Sequence, residues 1–303
     1  MRSALQSFVG KTLDRSAIWD IALHGPVLDD RGLKAVEIAK SVSGQTWDVS
    51  YDADELLLHL EGVPLDPDLL AERLKLAGVK SIYFDATTLG FAEMLLAVKA
   101  SRDAGLEKVR FSYAEPGEYT KADEEQGAKT RQFGLSNKVV GYKAIPGSAV
   151  ILNESEDQHA VFFLGYEGDR LDRAFEELKL VPDKCGVVFG VPAYKPGWEM
   201  NAFENNARVI KDRKIGGGVD FCAATSPFAT IQLLEERLKA CKHHAQLVVA
   251  PIGTKPHGIG VAIFADLHRD VGILFDHPTR REGRSRKVHQ WHWHDYSLTE
   301  VSE

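Results

Sequence analysis

Short β-rich runs alternate with amphipathic stretches along nearly the whole chain, and this rhythm limits the possible folds more than any other feature. Ala17 to Leu23 is followed by the helical pattern Asp29 to Ser41, and then by the extended runs Thr46 to Tyr51 and Glu55 to Leu60. A helix is predicted from Asp66 to Leu76, with Pro67 suited to its first turn. Ser81-Ile82-Tyr83-Phe84 reads as a buried strand ending at Asp85; Thr87 or Thr88 then caps a helix to Ala104, and the strand Lys108 to Tyr113 follows. Strand–helix–strand units demand crossover connections, so the predicted class is α/β with parallel sheets.

At 303 residues the chain is long enough for two domains. Glu115 to Lys129 is polar and acidic, and Phe133 to Pro146 reads as a hairpin-like connector. It leads to a linker at Asn153 to Asp157, giving domains 1–153 and 154–303. The second half repeats the rhythm: strand His159 to Leu164, helix Asp169 to Leu178, strand Gly186 to Phe189, helix Gly197 to Lys211, strand Val219 to Cys222, helix Pro227 to Lys242, strand Leu247 to Ala250. A helix over Thr254 to Ala265, a strand over Val271 to Phe275 and a final edge strand over Val288 to Tyr296 complete it.

Three blocks match between the halves in the same order. Ala17 to Gly25 followed by Asp30-Arg31 resembles His159 to Gly165 followed by Asp169-Arg170. Ile82 to Gly90 resembles Leu247 to Lys255, and Phe111 to Pro116 resembles Ile273 to Pro278. The expected architecture is therefore two tandem Rossmann-like parallel-sheet domains related by internal duplication. In such sheets ligands lie beyond the carboxyl ends of the strands, and each matched block runs into a loop of that kind.

Composition narrows the function classes. Apolar residues make up 44% and charged residues 27%, and the net charge of −7 gives the chain no general attraction to double-stranded nucleic acid or an anionic membrane. Cys185, Cys222 and Cys241 are odd in number and far apart, against a disulfide framework or a zinc site. With no signal-peptide run and no 18-residue apolar stretch, the expected location is the cytoplasm. His289, His292 and His294 stand at metal-like spacing, but only His292 and His294 would share a strand face, so no metal and no resident cofactor are expected.

Several segments carry candidate chemistry. Gly253, Thr254 and Lys255 open a helix after a buried strand, where orphan amides and the helix dipole favour phosphate; a plain strand-to-helix turn, with glycine for packing, is the alternative. Asp85, with Thr87 and Thr88, is the counterpart in the first half; it could hold a ribose hydroxyl or cap local amides. Trp198, Asn201 and Asn205 offer a stacking face and carboxamides, or else core and solvated face. Asp276 to Lys287 is the strongly basic run; Arg280 and Arg284, with Arg281 and Arg286, are expected to meet an anion near Lys255 or to pair with Asp123-Glu124-Glu125. Arg170 joins the anion-binding candidates, and Asp85, Glu167 and His257 are the acid–base candidates.

Gly253-Thr254-Lys255-Pro256 after a buried strand, together with Asp85-Ala86-Thr87-Thr88, resembles the Rossmann-like, CARF-like ligand-sensor domains of prokaryotic antiviral defence systems. That resemblance implies a nucleotide or other phosphate-bearing small molecule bound in an inter-domain cleft, by a sensor or adaptor subunit that has a protein partner. An enzyme, a hydrolase or transferase acting on a phosphorylated small molecule, is the second expectation. A scaffolding subunit of a protein complex is the third.

Overall fold

A computed structural model describes residues 4–120, 135–152, 157–241 and 245–299. The fold is mixed α/β, and the chain separates into two compact units: Met1–Tyr119 with Glu282–Glu303, and Thr120–Arg281.

In chain order the first unit begins with β1 (Leu5–Gly10), β2 (Trp19–His24), α1 (Asp30–Ser41), β3 (Ser43–Asp52), β4 (Leu57–Leu60), β5 (Val63–Leu65), α2 (Leu70–Leu76), β6 (Ser81–Asp85), α3 (Phe91–Asp103) and β7 (Lys108–Tyr119). The second unit holds β8 (Ser136–Val139), β9 (Asp157–Phe163), α4 (Asp169–Glu177), β10 (Cys185–Gly190), α5 (Glu199–Asp212), β11 (Val219–Cys222), α6 (Pro227–Ala240), β12 (Ala245–Pro251), α7 (Lys255–Leu267), β13 (Gly272–Ile273) and β14 (Pro278–Arg280). The final strand, β15 (Ser285–Ser297), returns to the first unit.

The first unit is an eight-stranded sheet in the order β1-β15-β7-β6-β2-β3-β4-β5. Its central strands β7, β6, β2 and β3 are parallel, and the flanking strands are antiparallel. From β2 the chain crosses by α1 to β3 on one side, and from β6 by α3 to β7 on the other. Right-handed crossovers therefore put α1 and α3 on opposite faces, and the direction reverses between β2 and β6. α1 starts because Asp29 accepts the Gly32 amide at 2.8 Å, and its buried Ala35, Ile38 and Ala39 pack with Trp19, Ala22, Tyr83 and Trp291.

The second unit is built on a wholly parallel sheet, β11-β10-β9-β12-β13, with its reversal between β9 and β12. α4 packs on α5 and α6 on α7, as two crossovers in each direction require. Ala160, Phe162, Val187, Phe189, Val248 and Ala250 form the core under α4 and α5. α7 is apolar nearly all round and is buried from Pro256 to Asp266. Its Gly260 has no room for a side chain, since a Cβ there would lie 2.6 Å from the Cβ of Thr230 on α6. Four parallel strands thus share one order in the two units, β3-β2-β6-β7 and β10-β9-β12-β13. Beyond them, β4 is antiparallel where β11 is parallel.

Four expectations need correction. α3 is capped by Gly90 and not by Thr87 or Thr88, whose hydroxyls bond Asp85, Gly25 and Ala114 instead. The last strand is not an edge strand of the second half: β15 lies between β1 and β7 in the first unit's sheet, where its aromatic residues gain partners on both sides. β7 runs on to Tyr119 because β15 continues to pair with it past Pro116, so the acidic stretch begins as strand. The connector is not a local hairpin; β8 pairs with the distant β14, Val139 opposite Pro278 and Ser136 opposite Arg280. The linker residues 153–156 and the Asp123-Glu124-Glu125 stretch lie outside the described residues.

Candidate functional site

The loop after β6 is a closed knot. Asp85 accepts the Thr87 amide at 3.0 Å and the Thr88 hydroxyl at 2.6 Å. Thr88 Oγ1 in turn accepts the Gly25 amide from the end of β2, and Thr87 Oγ1 accepts the Ala114 amide from β7. All three side chains are buried, and burial raises the Asp85 carboxyl above its ordinary range against the pull of the two threonines. The residues thus tie three strand ends together, which is the capping alternative rather than an open ligand face.

The carboxyl edge of the second unit's sheet gathers most of the remaining candidates. Arg170, in the first turn of α4, forks onto Asp276 at 2.5 and 2.6 Å and donates to the Ile252 carbonyl at 3.2 Å. Its charge is spent within the protein, joining the loops after β9, β12 and β13. Glu167 accepts the Leu135 and Ser136 amides and the Ser136 hydroxyl, and burial raises its carboxyl. Gly253 lets the loop after β12 approach the end of β9: a Cβ there would sit 3.1 Å from the Leu164 oxygen. Thr254 caps α7, accepting the His257 amide and donating to Ala224 O at 2.7 Å. Lys255, half-buried, is the first residue of α7.

Two buried acceptors flank these loops. Nε2 of His257 lies 3.2 Å from the Ala223 carbonyl, so it carries the proton and donates. Nδ1 is left as a bare lone pair with no partner, and burial pushes the imidazole down to about 4. A Cβ on Gly253 would lie 3.2 Å from that nitrogen. On the other face, α5 supplies Asn206, whose Nδ2 donates to the Gly165 and Ala202 carbonyls. Two carbonyl partners fix the orientation of the amide, so Oδ1 is the buried atom without a partner. Asn206 was legible only through the spacing of Ala202, Asn206 and Val209 on the buried face of α5. Asn205 instead donates back to the Asn201 carbonyl at 2.8 Å, and Asn201 is half-buried one turn earlier. Trp198 meets Tyr166 edge-on at 6.5 Å, and Lys195 Nζ sits 4.8 Å from its ring centre.

The basic run does not act as one loop. Arg280 belongs to β14 in the second unit, opposite Ser136, whereas Arg284 precedes β15 in the first. Gly283 N donates to Leu28 O, and the Ser285 hydroxyl donates to Asp29 Oδ2 at 2.6 Å, which brings Arg284 beside the start of α1. His292 and His294, both buried on β15, bond Glu115 at 2.6 Å and Ser7 at 2.8 Å.

A cavity of about 400 Å³ opens at the opposite, amino end of the second sheet, lined in part by Asp183, Lys184, Gly217 and Arg237. Its cations are already paired, Lys184 with Asp157 at 2.8 Å and Arg237 with Asp220. Among the described residues no cluster of three or more His, Cys, Asp or Glu could hold a metal ion, and no helix is long and apolar enough to cross a membrane. The chain matches no protein-family model, and no curated protein resembles it significantly in sequence.

Proposed function

We propose that the chain binds a nucleotide, or another phosphate-bearing small molecule, at the carboxyl edge of the second unit's sheet, as a sensor or adaptor subunit. The observation that carries this reading is the pair of orphaned acceptors, His257 Nδ1 and Asn206 Oδ1, flanking the reversal between β9 and β12. Buried acceptors without donors are costly, and a bound sugar hydroxyl or exocyclic amine would satisfy them. The start of α7 with Lys255 suits the phosphate of the same ligand, and Trp198 at the start of α5 offers it a ring. The resemblance to defence-associated sensors supports the antiviral setting and the protein partner. The shared order of four strands supports the internal duplication that the matched blocks suggest.

Calorimetric titration of the full chain with AMP, ATP and a cyclic dinucleotide tests the reading. At least one should bind, and Lys255→Ala should weaken it by about 1.5–3 kcal/mol, the usual size of a charge-assisted contact. Turnover of any of the three would favour the enzyme; binding of none would favour the scaffold.

A further inference from the structure

Arg31 and Arg170 occupy equivalent positions in the two units. Each is the second residue of the helix that follows the first central strand, in α1 and α4. Each guanidinium lies over an aromatic ring just past the parallel pairing of the fourth strand: Arg31 is 5.6 Å from the centroid of Tyr113, which follows the last β6–β7 pair at Ser112 but is still within β7, and Arg170 is 6.0 Å from that of Phe275, which follows β13. The next residue decides how the charge is met. After Phe275 comes Asp276, whose carboxylate takes both arms of Arg170. After Tyr113 comes Ala114, which can offer Arg31 only its backbone oxygen, at 2.5 Å.

The first unit then adds positive charge where the second supplies a carboxylate. The hydrogen bonds of Gly283 and Ser285 to Leu28 and Asp29 hold Arg284 next to Arg31. The nearest carboxylate, Asp29, is already engaged: Oδ1 accepts the Gly32 amide and Oδ2 the Ser285 hydroxyl, leaving Arg31 Nη2 3.8 Å away. Arg31 is 2% exposed and its Nε–H donates to nothing. Burial, and next the charge of Arg31, lower the affinity of Arg284 for its proton, whereas Arg31, against its own burial, is held charged by Tyr113, Tyr119 and Asp29. Two guanidinium groups around one committed carboxylate repel each other, and the repulsion falls on Arg284; an anion between them would relieve it.

We propose that Arg31 and Arg284 form a binding site for a phosphoryl group at the carboxyl edge of the eight-stranded sheet, beside the start of α1. This site is separate from the one at Lys255 and does not depend on it. Its ligand is free phosphate or the terminal phosphate of a nucleotide.

The test follows the arginine Nε–H resonances of the full chain by nitrogen-15 NMR during titration with inorganic phosphate and, separately, with AMP. Both are repeated in Lys255→Ala to silence the other site. The Arg31 resonance should move with at least one probe: movement with phosphate identifies the free anion as sufficient, and movement with AMP alone identifies a nucleotide. Arg284→Ala should weaken that response at least tenfold, while Arg286→Ala, which removes an exposed neighbour of the same charge, should leave it unchanged. Without ligand, Arg284→Ala should melt no lower than the parent, because it relieves repulsion. An Arg31 resonance unmoved by both probes, equal affinity in Arg284→Ala, or a lowered melting temperature in that variant would overturn the site.

Discussion

His257 and His294 are held neutral inside the protein, down to about 4 and about 3, by burial first and, for His294, also by His292. The unfolded chain takes up these protons near the ordinary value of 6.5, and the native state resists them. The native state is therefore favoured above 6.5, and that advantage drains as pH falls from 6.5 toward the folded values, at about 1.4 kcal/mol per pH unit for each histidine. Asp85 and Glu167, raised by burial, act in the opposite sense, so the difference between parent and variant isolates the histidine. In urea unfolding at pH 7, 5.5 and 4.5, His257→Gln should lose stability less steeply than the parent; parallel slopes would mean that the ring is charged in the native state. The sequence marks Asp85 to Thr88 and Gly253 to His257 as singular, because such residues gather at strand ends. It does not show whether they turn outward or knot the loops together. Arg170 and Arg31 read alike in sequence, and only the placement of Asp276 against Ala114 separates a guanidinium forked onto a carboxylate from one that meets a backbone oxygen.

At the scale of elements, the strand–helix rhythm was legible because period and punctuation agree: Asp29, Thr254 and Ser226 each cap the helix they precede. β1 was not, since its residues 6–9 are exposed and lack the alternation of a half-buried strand. Nor can a sequence name the partners of β15, because pairing is decided by non-local contacts. The crossing of α6 and α7 gives a test whose sign is diagnostic. In an ordinary helix Gly→Ala stabilises by roughly 0.5–1 kcal/mol. Gly260→Ala would instead push a methyl into Thr230 Cβ and to within 2.7 Å of the Pro227 oxygen. Thermal melting should show a loss of about 1–3 kcal/mol, as overpacking costs; a gain would show that the helices part easily.

For the whole molecule, the second unit is an insertion between two neighbouring strands of the first. The chain leaves β7 at Tyr119 and re-enters at β15, where Ser285 pairs with Tyr119. A chain ended at Arg281 should keep hydrogen-exchange protection in β9, β10 and β12 and lose it in β6 and β7; protection of β7 in that variant would show that β15 is dispensable. The same return also sets the timing of synthesis. Val109 to Gly117 is buried throughout in the folded protein, yet its partner strand is made only 166 residues after β7 ends. At about 5–20 residues per second, the nascent first unit waits roughly 8 to 33 seconds with that strand edge uncovered. The second unit's parallel sheet is itself complete only at β13, twelve residues before β15 begins. Until β15 is made, β7 presents an unpaired edge of the kind that strands of other chains can join, so a chain halted before Ser285 should aggregate more readily than the full chain, as light scattering would show.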